Sequence, residues 1–408
     1  MPDSSLRDKL RIGEQLKVPT FAEARACVLE KIPVSVPAIE MVELLAASGR
    51  VLAEDLAADR DYPPTARSVR DGFAVRAADL PGRLRVVGEV RAGETYSGSV
   101  GAGEAVEIMT GAPLPEGADQ VVMVEHVQRE GDFVAVELPG MPGANFNPQG
   151  VEAAAGQRVL YSGQRLGFTQ ISQLATIGVT RVPVFVKPRV AILATGDEVV
   201  PVEARPQPNQ VRNSNAYSLA VQVTRAGGEP VILSTAHDTA ESTRNLMRQG
   251  LDADLLLISG GVSAGKYDLV ETILAELEGH FFFTRVRLQP GQPLVFGQCQ
   301  ERFFFGLPGN PSSTMVTFEL FARTAIQLLS GEIQPMLPML TAPLTAPLQQ
   351  KAGLTRVLPA IWGESGVTPI QWKGSGDVPS LARANCFTVS DPEREGYEAG
   401  DLIRVLLH

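Results

Sequence analysis

The sequence predicts a multidomain α/β protein with a doubly wound α/β domain at its centre, and three observations predict it. The chain has 408 residues, whereas single hydrophobic cores stop growing at roughly 250 to 300 residues. From Pro188 onward, apolar runs of strand length alternate with helical stretches, which is what parallel strands need for their crossovers. On either side lie short alternating runs punctuated by glycine and proline, which read as β units.

Taken in order, the first element opens at Thr20, with Glu23 three residues on as a capping box and Phe21, Ala24, Val28 and Ile32 at helical spacing up to Pro33. A second helix is expected over 39–47, ending at Gly49. Short β runs follow at 85–90, 105–109, 120–126 and 133–137. Helical spacing returns at 167–177, so the β stretch reads as an insertion between two parts of one helical unit. The α/β pattern then runs as strand 190–194, helix 214–225 ending in Gly227 and Gly228, strand 230–234, helix 240–248, strand 255–259 and helix 267–277. Two further strands, 281–288 and 302–306, lead into a helix over 312–329. After Gly331 a linker carrying Pro335, Pro338, Pro343 and Pro347 leads to an all-β tail over 356–407.

Composition narrows the function. A hydrophobic fraction of 44% and a charged fraction of 20% are those of a globular protein. A net charge of −10 leaves no basic reservoir for a nucleic-acid backbone. No apolar run approaches the roughly 18 to 20 residues that span a bilayer, and the first sixteen residues are polar rather than a signal peptide. The expectation is a cytoplasmic protein without membrane or nucleic-acid partners. Cys27, Cys299 and Cys386 are scattered, and His126, His237, His280 and His408 share no ligand spacing. Any metal should therefore be a hard cation on oxygen ligands.

In an open α/β sheet the ligand lies beyond the carboxyl ends of the strands. Three loops there are unusual: Thr195-Gly196-Asp197-Glu198, then Ser259-Gly260-Gly261-Val262-Ser263-Ala264-Gly265 closing on Asp268, then Gly306-Leu307-Pro308-Gly309-Asn310-Pro311-Ser312-Ser313. Glycines let the backbone approach a ligand, and successive amides make an anion nest. Asn310 as N-cap and Pro311 in the first turn would aim the amides of Ser312, Ser313 and Thr314 at a phosphate or similar oxyanion. Any one such loop is more often a plain tight turn, but three at one sheet edge point to a ligand. Asp197, Glu198, Asp238 and Asp268 also follow strands. A carboxylate about 4 Å from a phosphate costs on the order of 4 kcal/mol per charge pair at a surface-like dielectric. Either these acids face solvent, as helix-start or turn residues do, or magnesium mediates through one or two carboxylates plus phosphates.

Five motifs occur in a familiar order: Asp71-Gly72-Phe73-Ala74-Val75-Arg76, Met109-Thr110-Gly111-Ala112-Pro113, Thr195-Gly196-Asp197-Glu198, Ser259-Gly260-Gly261-Val262-Ser263 and Gly306-Leu307-Pro308-Gly309-Asn310-Pro311. From about Thr20 to His408 the chain resembles the MoeA family of molybdopterin molybdenumtransferases, which are similar to the E domain of gephyrin. The resemblance implies a homodimer of four-domain subunits: 1–60 with 140–187 as an elongated linker and dimerisation domain, 61–139 as an inserted β domain, 188–332 as a molybdopterin-binding α/β domain, and 333–408 as a C-terminal β-barrel-like domain. It further implies a cytoplasmic transferase of molybdenum cofactor biosynthesis that takes adenylylated molybdopterin and molybdate and releases AMP.

The resemblance also implies roles for particular residues. Glu198, Asp238 and Asp268 would carry Mg2+ and the hydrolytic chemistry. Asp71, Thr110 and Glu152 would reach the site from the partner subunit. Thr195, Gly196, Asp197, Ser259, Gly260, Gly261, Ser263, Pro308, Gly309, Asn310, Pro311 and Ser375 would shape the pterin and phosphate pocket, together with Gln289 and Gln292. The chain departs from the family pattern at Ala66, where many members have aspartate, at Gln289 and Gln292, where lysines are common, and at Gly150-Val151-Glu152. Two rival readings follow: a binding or scaffold protein of the same fold with weakened activity, or a molybdopterin adenylyltransferase.

Overall fold

The computed structural model describes residues 17–261 and 269–408. The Phe21–Lys31 helix begins as its sequence dictates. The Thr20 hydroxyl accepts from the Glu23 amide at 3.2 Å, and the Glu23 carboxylate accepts from the Thr20 amide at 2.8 Å. That backbone bond, aided by Lys17, holds the Glu23 carboxyl down at about 2. Its contribution to the cap is complete above the ordinary value of 4.5 and fades as acid titrates the group towards 2. Phe21 then meets Phe321 edge-on at 5.8 Å, tying this helix to the central domain.

The helix expected over 39–47 is not formed. Ile39–Glu43 is a strand paired antiparallel with Arg181–Phe185, and only Leu44–Ala47 coils, as a 3-10 turn. A partner far along the chain supplies the hydrogen bonds that local spacing assigned to a helix. Ala47 and Leu52 share one core with Leu160, Leu166, Leu174, Val182 and Val184. Residues from both sides of the intervening β stretch thus bury one another. That stretch forms a six-stranded sheet in the order Gln120–Met123, Gly72–Val75, Glu104–Ile108, Gly82–Val90, Phe133–Val136, Gln128–Glu130. Gly72 is needed where it stands, because a Cβ there would lie 2.0 Å from the Val122 carbonyl oxygen.

The central six-stranded sheet runs Glu229–Ile232, Arg189–Ala194, Leu255–Ser259, Arg302–Leu307, Val295–Cys299, His280–Phe283. The first four strands are parallel, Val295–Cys299 runs antiparallel to them, and His280–Phe283 pairs antiparallel with Val295–Cys299 and so runs with the first four. Its inner strands are unbroken apolar runs because both faces are covered. Val190 and Ile192 enter one core with the Ser214–Ala226 helix, and Ala191 and Leu193 enter another with Met247, Ile273 and Leu274. Each of the larger side chains among these contributes roughly 1.5 to 3 kcal/mol by leaving water.

Two expectations change here. The strand expected over 281–288 divides: His280–Phe283 stays in this sheet, while Leu288–Gln289 pairs with the C-terminal Thr355–Gly363 strand. Val295–Cys299, unforeseen, forms a hairpin with Arg302–Leu307. Its Gly297 admits the crowding, since a Cβ there would lie 2.4 Å from both the His280 oxygen and the Phe304 ring. The helix expected over 312–329 forms as Pro311–Thr317 and Arg323–Leu329 around a π-helical turn at Phe318–Ala322. Glu319 in that turn is buried, and it pairs with Arg323 at 3.0 Å and accepts from Gln222 at 2.8 Å. The tail is a β-sheet in the order Leu288–Gln289, Thr355–Gly363, Cys386–Val389, Leu402–Leu407, Met339–Pro343, with one short helix at Val378–Arg383.

Arg165 fastens three segments at once. It donates to the Glu332 carboxylate at 2.9 Å, to the Gly49 carbonyl at 2.7 Å and to the Ala226 carbonyl, at the end of the Ser214–Ala226 helix, at 3.0 Å. Glu332 is only 12% exposed on its side chain, so stripping it of its partner is costly. Arg165→Met is expected to lower stability by about 2 to 3 kcal/mol. Urea unfolding measures this directly, and an unchanged midpoint would make the fastening marginal.

Candidate active site

Parallel pairing brings the three strand ends level: Ala194 lies opposite Ser259, and Ser259 opposite Leu307. The loops then knit together through backbone bonds. The Thr195 amide donates to the Ser259 carbonyl at 3.1 Å, Gly260 to Leu307 at 3.1 Å, and Gly196 to Ala236 at 3.1 Å. Gly260 holds φ at +96°, and a Cβ on it would sit 3.0 Å from both the carbonyl and hydroxyl oxygens of Thr195. Gly261 is also left-handed, at φ +65°. On the other side, a Cβ on Gly309 would lie 3.4 Å from the Gly260 Cα. Asn215, which sequence reasoning passed over, bridges two of these loops: its amide donates to the Ser259 hydroxyl and to the Gly309 carbonyl, each at 2.8 Å. Its own carbonyl oxygen is buried without a partner. The only signal for it in the sequence is its place at the start of the helix facing the sheet edge.

The acids stand around this edge as acceptors. The Asp197 carboxylate contacts His237 Nδ1 at 3.0 Å and accepts from the Asp238 amide at 3.3 Å. These two partners, His237 foremost, hold its carboxyl below the usual range. Asp238 in turn faces the Asp197 amide at 3.5 Å. Glu198 is exposed and folds back over Gly196, where a Cβ would meet its carboxylate oxygen at 2.5 Å. Ser263 and Asp268 lie outside the described residues. Among the described residues no three acids, histidines or cysteines converge as a ready metal cage. Solvent-facing carboxylates on adjoining loops do suit a cation that takes one or two of them and completes its shell with ligand phosphate.

At the third loop the expected open amides need correcting. Asn310 takes the N-cap position, but its side chain makes no capping bond. The Ser312 amide donates to the Ser375 carbonyl at 2.9 Å, and the Thr314 amide to the Asn310 carbonyl at 3.0 Å. Two of the three amides assigned to an oxyanion are therefore engaged. The Ser312 hydroxyl, fully buried, has no partner. Ser375 is brought to Pro308, Gly309, Asn310 and Pro311 by that same Ser312 bond. Gln289 pairs with Arg356 in a short parallel ladder. Arg356 and Trp372, also missed in the sequence, each hold a buried ring or guanidinium N–H without a partner. Gln289 and Gln292 are exposed, and Gly291 between them, at φ +109°, seats that turn against Thr317, whose methyl would lie 2.4 Å from a Cβ.

Asp71, Thr110 and Glu152 form a separate group. The Asp71 carboxylate accepts from the Thr110 amide at 2.7 Å and from its hydroxyl at 2.8 Å, which hold the carboxyl below its ordinary value. Thr110 and Glu152 line a pocket of about 420 Å³ whose described walls contain none of the sheet-edge loops.

With this geometry in hand, the relatives are informative. The MoeA N-terminal region (domain I and II) matches residues 19–178, the probable molybdopterin binding domain matches 191–328, and the MoeA C-terminal region (domain IV) matches 341–408. A molybdopterin molybdenumtransferase from Bacillus subtilis is 35% identical over 384 residues, covering 90% of this chain and 89% of its own. One from Staphylococcus aureus is 31% identical, covering 91% of this chain and 92% of its own. A molybdopterin biosynthesis moeA protein from Pyrococcus horikoshii superposes with a TM-score of 0.79 at 28% identity, covering 96% of this chain and 100% of that one. Three consecutive matches spanning nearly the whole chain, on a fold whose loops meet at one sheet edge, make this chain a member of the MoeA family.

Proposed function

We propose that this chain transfers molybdenum from molybdate to adenylylated molybdopterin, with the phosphoanhydride broken and AMP released. It is a transferase of molybdenum cofactor biosynthesis. The observation that carries the specific reaction is the meeting of three glycine loops at one sheet edge, the second and third bridged by Asn215 and the first tied to the second by the Thr195 amide, with exposed acids beside them. The glycine backbones let the pterin and phosphates lie close. Glu198 and Asp238, with Asp268, would hold Mg2+, which neutralises phosphate charge beside the acids. Asp197, braced by His237 and Asp238, keeps the acid loop in place.

A homodimer completes the reading. The pocket containing Thr110 and Glu152 and the sheet edge are separate within one chain, and a second copy would bring the two groups face to face. We expect the protein to act in the cytoplasm; no helix among the described residues is long and apolar enough to cross a membrane. Purified protein given magnesium, molybdate and adenylylated molybdopterin is expected to release AMP, resolved by chromatography. Tight ligand binding with no AMP under any condition would favour a scaffold instead, and formation of adenylylated pterin from ATP would favour an adenylyltransferase.

A further inference from the structure

Among the described residues, main chain ties the second and third loops of the sheet edge at their roots, where the Gly260 amide donates to the Leu307 carbonyl at 3.1 Å. Farther out the link is the Asn215 side chain, whose nitrogen donates to the Ser259 hydroxyl and the Gly309 carbonyl, each at 2.8 Å. The Gly309 carbonyl can only accept, so the side-chain nitrogen, with its two hydrogens, must be the atom that faces the loops. Both hydrogens are then used, and the oxygen is left buried without a partner.

The Ser214–Ala226 helix gains nothing from these bonds. Its N-cap is Asn213, whose side chain accepts from the Ala216 amide at 3.1 Å, and its buried face is Ala216, Leu219, Val223 and Ala226. About two turns beyond Asn215, Gln222 repeats the arrangement. Its nitrogen donates to the Met315 carbonyl at 3.1 Å and to Glu319 at 2.8 Å, and its oxygen is likewise buried without a partner. Met315 lies in the helix that the third loop leads into, and Glu319 in the π-helical turn after it. The two amides thus fasten one helix to the third loop and to the helix that follows it. They differ in what they reach: Gln222 bonds only to packed helices, whereas Asn215 reaches two ligand loops at once. A buried acceptor with no partner is unfavourable, and an apolar side chain would avoid it. Local rules broken in this way concentrate where function needs a fixed geometry.

We propose that Asn215 is a positioning residue for the transfer reaction: acting through Ser259 and Gly309, it fixes the separation of the two loops that hold the ligand. This rests on the transferase reading, and it assigns Asn215 no contact with the ligand. Each loop keeps its own backbone when Asn215 is removed and still holds its share of the ligand. What is lost is their alignment, and a misplacement of about 1 Å can cost on the order of a hundredfold in rate. The experiment measures AMP release at varied adenylylated molybdopterin, with magnesium and molybdate present, alongside melting curves. Asn215→Ala should lower kcat by about tenfold or more while KM moves by less than about threefold. Asn215→Asp, which has the same shape but no hydrogen for the Gly309 carbonyl, should do the same. Gln222→Ala should melt at a lower temperature and keep kcat within about twofold of the parent. Combining Asn215→Ala with Ser259→Ala should lose less rate than the product of the two separate losses, because both remove the same bond. Should Asn215→Ala fail to fold, the kcat of Asn215→Asp against that of Gln222→Ala decides the matter. Folded Asn215 variants with kcat within about twofold of the parent, an equal loss of kcat in Gln222→Ala, or losses that multiply in the double variant would each overturn the proposal. A parent that releases no AMP would sink the transferase reading and this inference together, whereas an active parent with unaffected Asn215 variants would sink this inference alone.

Discussion

Glu198→Gln is expected to bind adenylylated molybdopterin about as tightly as the unaltered protein and to release AMP at least a hundredfold more slowly. No hydrogen bond or ion pair ties the Glu198 carboxylate among the described residues, and the side chain is exposed. Glutamine has the same shape, so the turn over Gly196 should survive the exchange. What disappears is the negative charge, and with it the Mg2+ ligand and proton acceptor that the proposed reaction assigns to this side chain. Positioned acid or base groups contribute on the order of 10² to 10⁴ in rate, which sets the expected loss. Asp238→Asn makes a useful contrast, because Asp238 also faces the Asp197 amide and its loss should disturb the acid loop as well as turnover. Calorimetry gives the affinity and chromatography the AMP; turnover unchanged in Glu198→Gln would take Glu198 out of the mechanism.

What could be read in the sequence was mostly what short-range physics dictates. The Thr20 and Glu23 capping box lies within a single turn and forms as expected. The apolar runs at Arg189–Ala194 and Leu255–Ser259 could be read as strands covered on both faces, and they are. Parallel connections force the loops after such strands to one edge, so the meeting of Thr195, Gly260 and Gly309 was also legible. The misses depend on partners far along the chain. Ile39–Glu43 became a strand because Arg181–Phe185 pairs with it. Val295–Cys299 carries a glycine that weakens a strand signal, yet Gly297 is there because His280 and Phe304 crowd it. Asn215 looks like any polar residue in a first helical turn until Ser259 and Gly309 are seen at either hand. Nor could local spacing reveal that the Ser375 carbonyl would take the Ser312 amide, which removes one presumed phosphate contact while bringing the C-terminal unit to the cleft.

Gly260→Ala is expected to damage stability and ligand binding together, because one added carbon would press on two of the loops that build the site. At φ +96° an L side chain is strained whatever the space around it, which costs roughly 1 to 2 kcal/mol. The new Cβ would then stand 3.0 Å from the Thr195 carbonyl and hydroxyl oxygens. Thr195 is held by its own amide bond to Ser259, so it can retreat only by stretching the sheet edge. Gly260 cannot easily move the other way, since Gly309 approaches its Cα and is itself fixed through Asn215. The strain and the crowding together should lower stability by about 2 to 3 kcal/mol, and affinity for the adenylylated pterin should fall by about tenfold or more as the loops part. Gly363→Ala is the control: a Cβ there meets nothing within 4 Å, so both quantities should stay within about 0.5 kcal/mol of their starting values. If Gly260→Ala melted and bound like that control, the glycine loops would be ordinary turns, and the argument for a ligand at this sheet edge would lose its footing.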